Sequence, residues 1–256
     1  LGRDLAVALG RPTVDGLYLP PPVADETFRD EFGFVFLVDG SVGPFYVSMG
    51  GILRTLWERH PDPAGYTGEA MALLRGFDTQ DLAHRALALG VYNALSASTM
   101  RRAHFVAPDR APASGLDDVS SGAAVGMVGY FGPLVDKLID RGNEVLILER
   151  APQRVRERPG VSLIDDARDL GRCRRIVCTA ATLINDTLNE VLAAVAGHRD
   201  LELTGPSGSG LPDPLFARGV AAVGGTSFVD RAHLVSQLEQ GKTWSAAGRK
   251  YQLTTQ

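Results

Sequence analysis

The feature of this sequence that most constrains its fold is a series of short apolar runs, rich in β-branched residues, in the second half. The runs lack the apolar–polar alternation of a strand with one face in water, so we expect strands that are covered on both faces. Helical segments separate most of them, and right-handed crossovers through helices produce a parallel doubly wound sheet. The predicted strands are residues 124–128, 145–148, 161–164, 176–178, 201–203 and 220–223. The fold class predicted for this half is a Rossmann-like α/β domain.

The first half has the pattern of a smaller α+β domain. Apolar runs at 34–38 and 45–49 predict a β-hairpin, joined by a loop, residues 39–44, that is too long for a two-residue turn. Thr79 is predicted to cap a long helix that buries one side against this hairpin. The apolar positions of that helix are Leu82, Ala86, Leu89, Val91, Tyr92 and Leu95. Turn-forming residues accumulate at 107–122, so we expect an α+β domain at 1–110 and a Rossmann-like domain at 122–256.

Composition and charge narrow the class of partner. The chain has 256 residues and a formal charge of −4, and its cationic stretches at 101–102 and 172–175 are short and lie near acidic residues. Because a nucleic-acid partner needs a basic stripe that neutralises phosphates, we expect none. No apolar run approaches the roughly 18 residues of a membrane span, the sequence begins without a leader pattern, and Cys173 and Cys178 cannot form a disulfide framework. We therefore expect a cytoplasmic protein with a small-molecule ligand and no membrane partner, and the sequence leaves a homo-oligomer open.

The turn after the first predicted strand is the first candidate ligand site. Gly129 and Gly132 follow that strand and precede a helix, where the amides of a helix N-terminus meet ligands. The dinucleotide fingerprint G-x-G-x-x-G would need glycine at Met127, so this chain keeps only the last two glycines of the pattern. Tyr130 and Phe131 lie between them. The alternative is that both glycines only turn the chain and let the helix pack closely.

Acidic residues end the second and third predicted strands. Glu149 follows the glycine turn by about twenty residues, the position from which a carboxylate reaches a ribose diol. Asp165 and Asp166 end the third strand, where an acid followed by a small residue suits an adenine amine. Each acid alone is more often a surface or helix-capping residue, but the three features together favour an adenosine-containing ligand. The sequence does not fix the strand register, so both aspartates stay candidates.

Two hydroxyl-rich loops follow the fourth and fifth predicted strands. Residues 179–187 lead into a helix whose first amides could hold a carboxylate or phosphate, and an ordinary helix cap explains the same residues equally well. Residues 205–209 could form an anion-binding nest of consecutive amides. Ser207 does not fit a serine-hydrolase elbow, because Ser209 replaces the final glycine of G-x-S-x-G. The histidines are scattered without HExxH or CxxC spacing, so soft metal ligands have little support, and oxygen ligands stay open.

The second half also resembles a known family, DUF364, described as "putative heavy-metal chelation" proteins. The segments that carry the resemblance, within residues 124–240, are VGMVGYFGPLVDKL, VLILERAP, CTAATLINDTLNEVL, LTGPSGSGLPDPLFARGV and AVGGTSFVD. In the first half ALALGVYNAL, with Tyr92, Asn93 and Ala94, resembles the DUF4213 domain that usually precedes it. The resemblance implies an N-terminal domain similar to the enolase N-terminal fold, a Rossmann-like C-terminal domain and a site in the cleft between them.

The family resemblance implies a set of site positions. Those that match in this chain are Gly129, Tyr130, Phe131, Gly132, Glu149, Thr182, Asn185, Thr187, Gly205, Pro206 and Ser207. The family label implies metal binding, whereas this chain offers few soft ligands at these positions. A metal could instead arrive inside a small chelator, which would need hydrogen bonds from the protein.

Together these observations predict an enzyme of small-molecule biosynthesis that binds S-adenosylmethionine or a related adenosyl ligand in the interdomain cleft. The reaction would displace methylthioadenosine or transfer a group, and cyclisation of the aminobutyryl chain is one variant. The alternative is a binding protein for a heavy metal ion or a metal chelate. The catalytic candidates are Tyr130, Tyr92 and Asn185. The cofactor-binding candidates are Gly129, Tyr130, Phe131, Gly132, Glu149, Arg150, Asp165, Asp166, Thr179, Thr182, Asn185, Thr187, Gly205, Pro206 and Ser207.

Overall fold

The computed structural model describes residues 1–22, 30–109, 119–198 and 200–255. It contains a four-stranded antiparallel sheet from the first half of the chain and a seven-stranded, mostly parallel sheet from the second. The predicted domain boundary falls largely on residues 110–118, outside the described residues, so the domain limits stay a prediction. Asp109, just before that stretch, already forms a bridge with Tyr251 of the larger sheet.

In its described residues, the first half forms the smaller sheet and four α-helices. Its strands are β1 (Thr13–Tyr18), β2 (Phe32–Leu37), β3 (Val42–Tyr46) and β4 (Thr67–Glu69). Its helices are α1 (Gly2–Ala8), α2 (Ile52–Arg59), α3 (Ala70–Leu73) and α4 (Leu82–Arg102). The strand order is β3-β2-β1-β4, and α4 packs across β3 and β2.

The predicted β-hairpin is confirmed as β2 and β3, with a shorter loop than the sequence indicated. Val42 pairs with Phe36, so Gly43 and Pro44 belong to the strand and not to the loop. The close approach of α4 explains the difference, because a Cβ on Gly43 would lie 1.9 Å from the carbonyl oxygen of Gly90. Only glycine lets the helix backbone pack this tightly on the strand.

The long helix is also confirmed, but its cap and its burial differ from the prediction. The N-cap is Asp81 and not Thr79, since the Asp81 carboxylate accepts a hydrogen bond from the backbone N–H of His84 at 2.8 Å. The Thr79 hydroxyl donates instead to the carbonyl oxygen of Gly76. The helix is buried around most of its circumference, because residues of the second half cover the side that the smaller sheet leaves open.

The second half forms the larger sheet. Its strands are β5 (Ala124–Val128), β6 (Glu144–Leu148), β7 (Val161–Ile164), β8 (Arg175–Thr179), β9 (Leu201–Thr204), β10 (Ala222–Ser227) and β11 (Arg249–Thr254). Its helices are α5 (Gly132–Asp140), α6 (Leu188–Ala194), α7 (Asp213–Phe216) and α8 (Arg231–Glu239). The order is β11-β10-β9-β8-β5-β6-β7. The six predicted strands are confirmed, although β10 begins at Ala222 and not at Val220, and the unpredicted β11 pairs antiparallel with β10.

Apolar cores lie on both faces of the larger sheet and between the two halves. Successive residues of β6 belong to different cores, Val145 to one and Leu146 to the other, as expected for a strand covered on both faces. Ile184, Phe228 and Leu234 of the second half belong to the core of the first half. The two halves therefore share one continuous packed interface. Within the described residues, no helix has both the length and the apolar character needed to cross a membrane.

Candidate ligand cleft

A large cleft lies along the carboxyl ends of the parallel strands, between the two halves of the chain. Its volume is about 1760 Å³. The floor comes from residues at and beyond the ends of β5 to β9, and the roof from β2, β3 and the segment between β3 and α2. Ligands of open α/β sheets bind at this edge, close to the point where the strand order reverses, which here lies between β5 and β8.

The register of three neighbouring strands aligns the glycine turn with two of the predicted acids. Val128 of β5 pairs with Leu148 of β6, and Leu148 pairs with Ile164 of β7. The residues that follow these three, and that all line the cleft, are Gly129, Glu149 and Asp165. Because neighbouring strands are about 4.8 Å apart, the three positions span about 10 Å along the floor.

The glycine turn is shaped by the chain itself as well as open to the cleft. Gly129 has a φ of +85°, and a Cβ at this position would lie 2.9 Å from Cγ2 of Thr179. Its N–H donates to the carbonyl oxygen of Leu148 at 2.9 Å, which fixes the turn against β6. Gly132 begins α5, and Tyr130 and Phe131 line the cleft between the two glycines. The turn is therefore required for chain geometry and is also available to a ligand.

Glu149 is a half-buried residue that follows β6 on the floor of the cleft. Its Oε1 accepts a hydrogen bond from the backbone N–H of Ala151 at 2.9 Å. This contact orients the side chain and occupies one oxygen, while a carboxylate can accept through both. Arg150, the next residue, lines the cleft as an exposed side chain.

The structure separates the two aspartates that follow β7. Asp165 lines the cleft, whereas Asp166 does not. The Asp166 carboxylate instead accepts from the backbone N–H of Arg168 at 2.8 Å and pairs with its guanidinium, which lowers the pKa of Asp166 to about 2. Asp166 is therefore a cap for the 3-10 helix at residues 167–172, and Asp165 is the acid that faces the ligand edge.

The loop after β8 contains a helix cap, as predicted, and its polar side chains line the cleft; a ligand at this loop stays a prediction. Thr179 caps the 3-10 helix at 180–183 by accepting from the backbone N–H of Ala181 at 3.3 Å. The Thr182 hydroxyl donates to the carbonyl oxygen of Thr179 at 2.7 Å. The Thr187 hydroxyl donates to Oδ1 of Asn185 at 2.6 Å. All four polar side chains line the cleft. Since Asn185 accepts through Oδ1, its amide nitrogen keeps two donors for a ligand.

A buried arginine of α4 holds this loop in place, and sequence reasoning missed it. Nε of Arg85 donates to the carbonyl oxygen of Ile184 at 2.7 Å, and Nη2 lies 3.3 Å from a carboxylate oxygen of Asp186. Nη1 donates to the carbonyl oxygen of Phe77 at 3.2 Å. Arg85 is 8% exposed. Arg85, a residue of the first half, thus fixes the loop that carries Asn185, although Arg85 itself does not line the cleft.

The loop after β9 does not form the predicted anion-binding nest. The backbone N–H of Gly205 donates to the carbonyl oxygen of Gly224 in β10. The N–H groups of Gly208 and Ser209 donate within the turn, to the carbonyl oxygens of Gly205 and Pro206, so these three amides are already hydrogen-bonded. Ser207 lines the cleft with Gly205 and Pro206, and its hydroxyl accepts from the backbone N–H of Tyr46 at 2.9 Å. These residues therefore shape the floor and join it to β3.

Tyr92 lies in the interface between the halves and not in the cleft. Its hydroxyl donates to the carbonyl oxygen of Leu211 at 2.6 Å. Its ring fills the space above Gly210, where a Cβ would lie 2.2 Å from a ring carbon. Burial raises the pKa of the phenol, which favours its protonated form. Tyr92 therefore lacks both the position and the charge of a general base in the cleft. Tyr130 is the catalytic tyrosine candidate that lines the cleft.

Three residues that sequence reasoning did not identify connect the roof with the floor. Nη2 of Arg154 donates to a carboxylate oxygen of Asp30 at 2.7 Å, and its Nη1 lies 3.3 Å from the hydroxyl of Tyr46. The Tyr46 hydroxyl donates to the same Asp30 oxygen at 3.2 Å. Burial raises the pKa of Tyr46 to about 12, so this phenol stays protonated at neutral pH. No local pattern could reveal the cluster, because its members are far apart in sequence.

The charged lining of the cleft is balanced. Its cations are Lys137, Arg150, Arg154 and Lys250, and its anions are Asp30, Glu149, Asp165 and Glu190. Among the described residues that line the cleft, none is a cysteine or a histidine, and the described part of the chain contains no group of three or more histidine, cysteine or acidic residues that could hold a metal ion. Met49 contributes a soft thioether to the described lining, and the other polar groups there offer oxygen and nitrogen atoms.

Comparison with known proteins assigns the family. The model of the family DUF364, "Putative heavy-metal chelation", matches residues 113–255. The chain belongs to the DUF364 family. The predicted membership is confirmed, and the match covers the whole larger sheet.

Two solved DUF364 structures share the fold of the whole chain. A protein of unknown function from Pyrococcus horikoshii is 17% identical with a TM-score of 0.71, covering 99% of this chain and 96% of that one. A second protein of unknown function, from Desulfitobacterium hafniense DCB-2, is 18% identical with a TM-score of 0.68, covering 94% of this chain and 91% of that one. A search of curated proteins found no similar sequence.

Proposed function

We propose that this DUF364 protein is an enzyme that binds S-adenosylmethionine, or a close adenosyl relative, along the floor of the cleft. The observation that carries the proposal is the alignment of Gly129, Glu149 and Asp165 at the ends of three neighbouring strands. A carboxylate at the end of the second strand suits a ribose diol, beside a glycine turn that admits close approach. Asp165, one strand further out, suits the adenine amine.

The strand order supports the finer description of the fold. The order β7-β6-β5-β8-β9-β10, with a switch point between β5 and β8, is typical of Rossmann-like domains, although only a short 3-10 helix connects β6 to β7. We extend the proposal to the first half, as a DUF4213 domain similar to the enolase N-terminal fold. Its antiparallel sheet packed against α4 supports this assignment.

Residues further along the floor suit the polar tail and the reacting atoms. When bound, a sulfonium ligand supplies an already activated carbon, so the protein needs mainly to orient it and to exclude water. The Asn185 amide, held through its own Oδ1, can donate to a carboxylate. Tyr130 lies at the glycine turn, where a Cβ on Gly132 would be 3.6 Å from the Tyr130 hydroxyl, and it can exchange a proton with a second substrate.

A binding protein for a metal chelate is the second candidate. The observation that favours it is the balanced lining of cations, anions and amides without cysteine or histidine among the described residues. Such a lining suits a chelator that already satisfies its metal and asks the protein for hydrogen bonds and ion pairs. This candidate predicts uptake of a chelate without turnover.

Titration calorimetry with S-adenosylmethionine tests the first proposal. We expect saturable binding to the wild-type protein, and a roughly 10- to 150-fold weaker Kd for Glu149→Ala, since a hydrogen bond to a charged group contributes about 1.5–3 kcal/mol. Glu144→Ala is the matched control, because Glu144 begins the same strand, at the end that does not line the cleft. Equal losses in both variants would contradict the assignment of Glu149.

Mass spectrometry of the titrated mixture, with nickel, zinc and molybdate added in parallel samples, separates the two candidates. Release of methylthioadenosine or appearance of a methylated product supports the enzyme. No adenosyl binding together with stoichiometric uptake of a metal or oxyanion would overturn the enzyme proposal and favour a metal-binding protein, as the family label implies.

A further inference from the structure

The cleft extends well beyond the proposed adenosyl site. Its volume of about 1760 Å³ exceeds the 300–1,000 Å³ of a typical small-molecule site. In the sheet order, β10 lies four strands from β6, which at ~4.8 Å per strand places it about 19 Å from Glu149. One end of the cleft is therefore left over when the adenosyl ligand occupies the other.

Aromatic rings enclose that far end. The Phe32 ring packs edge-on against Trp244 with 5.5 Å between centroids, and against Tyr46 with 5.4 Å. All three line the cleft. The Trp244 side chain is only half-buried, so a flat ligand can reach its ring. Aromatic groups are stabilised by such ring contacts in addition to the burial of their apolar area.

The ammonium group of Lys250 lies over the face of one of these rings. Nζ of Lys250 lies 5.6 Å from the centroid of Trp244, and Lys250 also lines the cleft. Its position is fixed by β11, where Lys250 pairs with Thr226 of β10. Lys250 forms no ion pair with any residue that the structure describes, whereas the nearby Arg154 is already paired with Asp30. The charge that suits this end of the cleft is therefore negative.

We propose that this end of the cleft is a second ligand subsite, which takes a planar aromatic carboxylate with its ring against Phe32 and Trp244 and its anion on Lys250. The inference rests on the proposed function in one respect, because it names the chemical class of the second substrate. It uses none of the residues assigned to the adenosyl ligand.

Three small probes test the subsite by ligand-observed NMR titration of the full chain. Benzoate has both the ring and the charge, benzamide has the ring alone, and cyclohexanecarboxylate has the charge alone. We expect benzoate to bind about three- to fivefold more tightly than either analogue, the scale of an exposed ion pair and of one ring contact. Equal affinity for all three probes would overturn the proposal.

Two variants and one control locate the binding. Lys250→Gln should weaken benzoate about three- to fivefold and leave benzamide unchanged, and Trp244→Leu should weaken both. Lys242→Gln, an exposed lysine outside the cleft, is the matched control and should bind all probes as the wild type does. An identical effect of the two lysine variants would contradict the proposal. Glu149→Ala should bind benzoate normally, so a failure of the adenosyl site and a failure of this subsite are distinguishable.

Discussion

Replacement of Arg85 by methionine should destabilise the protein strongly although Arg85 does not line the cleft. The side chain is 8% exposed, and its well-formed hydrogen bonds reach the carbonyls of Ile184 and Phe77 at 2.7 and 3.2 Å. Each such bond from a charged donor contributes about 1.5–3 kcal/mol, and methionine would leave both carbonyls unsatisfied. The ion pair with Asp186 adds little, because the Asp186 side chain is 59% exposed. We therefore expect the free energy of unfolding to fall by about 3–5 kcal/mol.

Urea denaturation followed by two independent probes measures this loss. Arg101→Met is the control on the same helix, since Arg101 pairs with Asp39 near the surface and its loss should cost less than about 1 kcal/mol. Arg85→Met should also weaken S-adenosylmethionine binding, because the loop that carries Asn185 loses its anchor. A loss below 1 kcal/mol, or one equal to that of Arg101→Met, would refute the anchoring role.

Three further changes have defined outcomes. Gly129→Ala should lower the free energy of unfolding by about 1–3 kcal/mol and abolish adenosyl binding, because φ is +85° and Thr179 lies in the way; normal binding by calorimetry would contradict this. Tyr92→Phe should cost about 0.5–1.5 kcal/mol in urea unfolding by losing the bond to Leu211, with catalysis unchanged, and a loss of turnover in the folded variant would return Tyr92 to the catalytic candidates. Burial raises the pKa of Tyr46 to about 12, above the ~10 of an unfolded chain, so its neutral phenol stabilises the fold below about pH 10. That contribution is lost as the pH rises from about 10 to about 12, at up to ~1.4 kcal/mol per pH unit. Tyr46→Phe should show a smaller slope of stability against pH in urea unfolding, and equal slopes would contradict the assignment.

The parallel strands were predictable because burial on both faces leaves a local signature. β5, β6 and β8 consist largely of apolar residues, and their limits follow from where those runs end, whereas β7 is partly exposed and β9 contains Glu202 and Thr204. β11 lacks the signature, since Arg249–Thr254 is a half-exposed strand with two cations, and its pairing depends on β10 being in place.

The candidate site was predictable on the floor and not on the roof. Glu149 and the glycine turn follow strands that the sequence defines, so their common edge could be inferred. The distinction between Asp165 and Asp166 needed the register of β7 and the pairing of Asp166 with Arg168. The contact of Asp30 with Arg154 joins residues 124 positions apart, and only the packed interface of the two halves brings them together.

The most direct test of the central claim is a crystal structure of the protein with S-adenosylhomocysteine bound. We predict the ribose within hydrogen-bonding distance of Glu149, the adenine beside Asp165 and the homocysteine tail toward Asn185. Density for the ligand elsewhere, or an empty floor at a concentration that saturates calorimetric binding, would contradict the account.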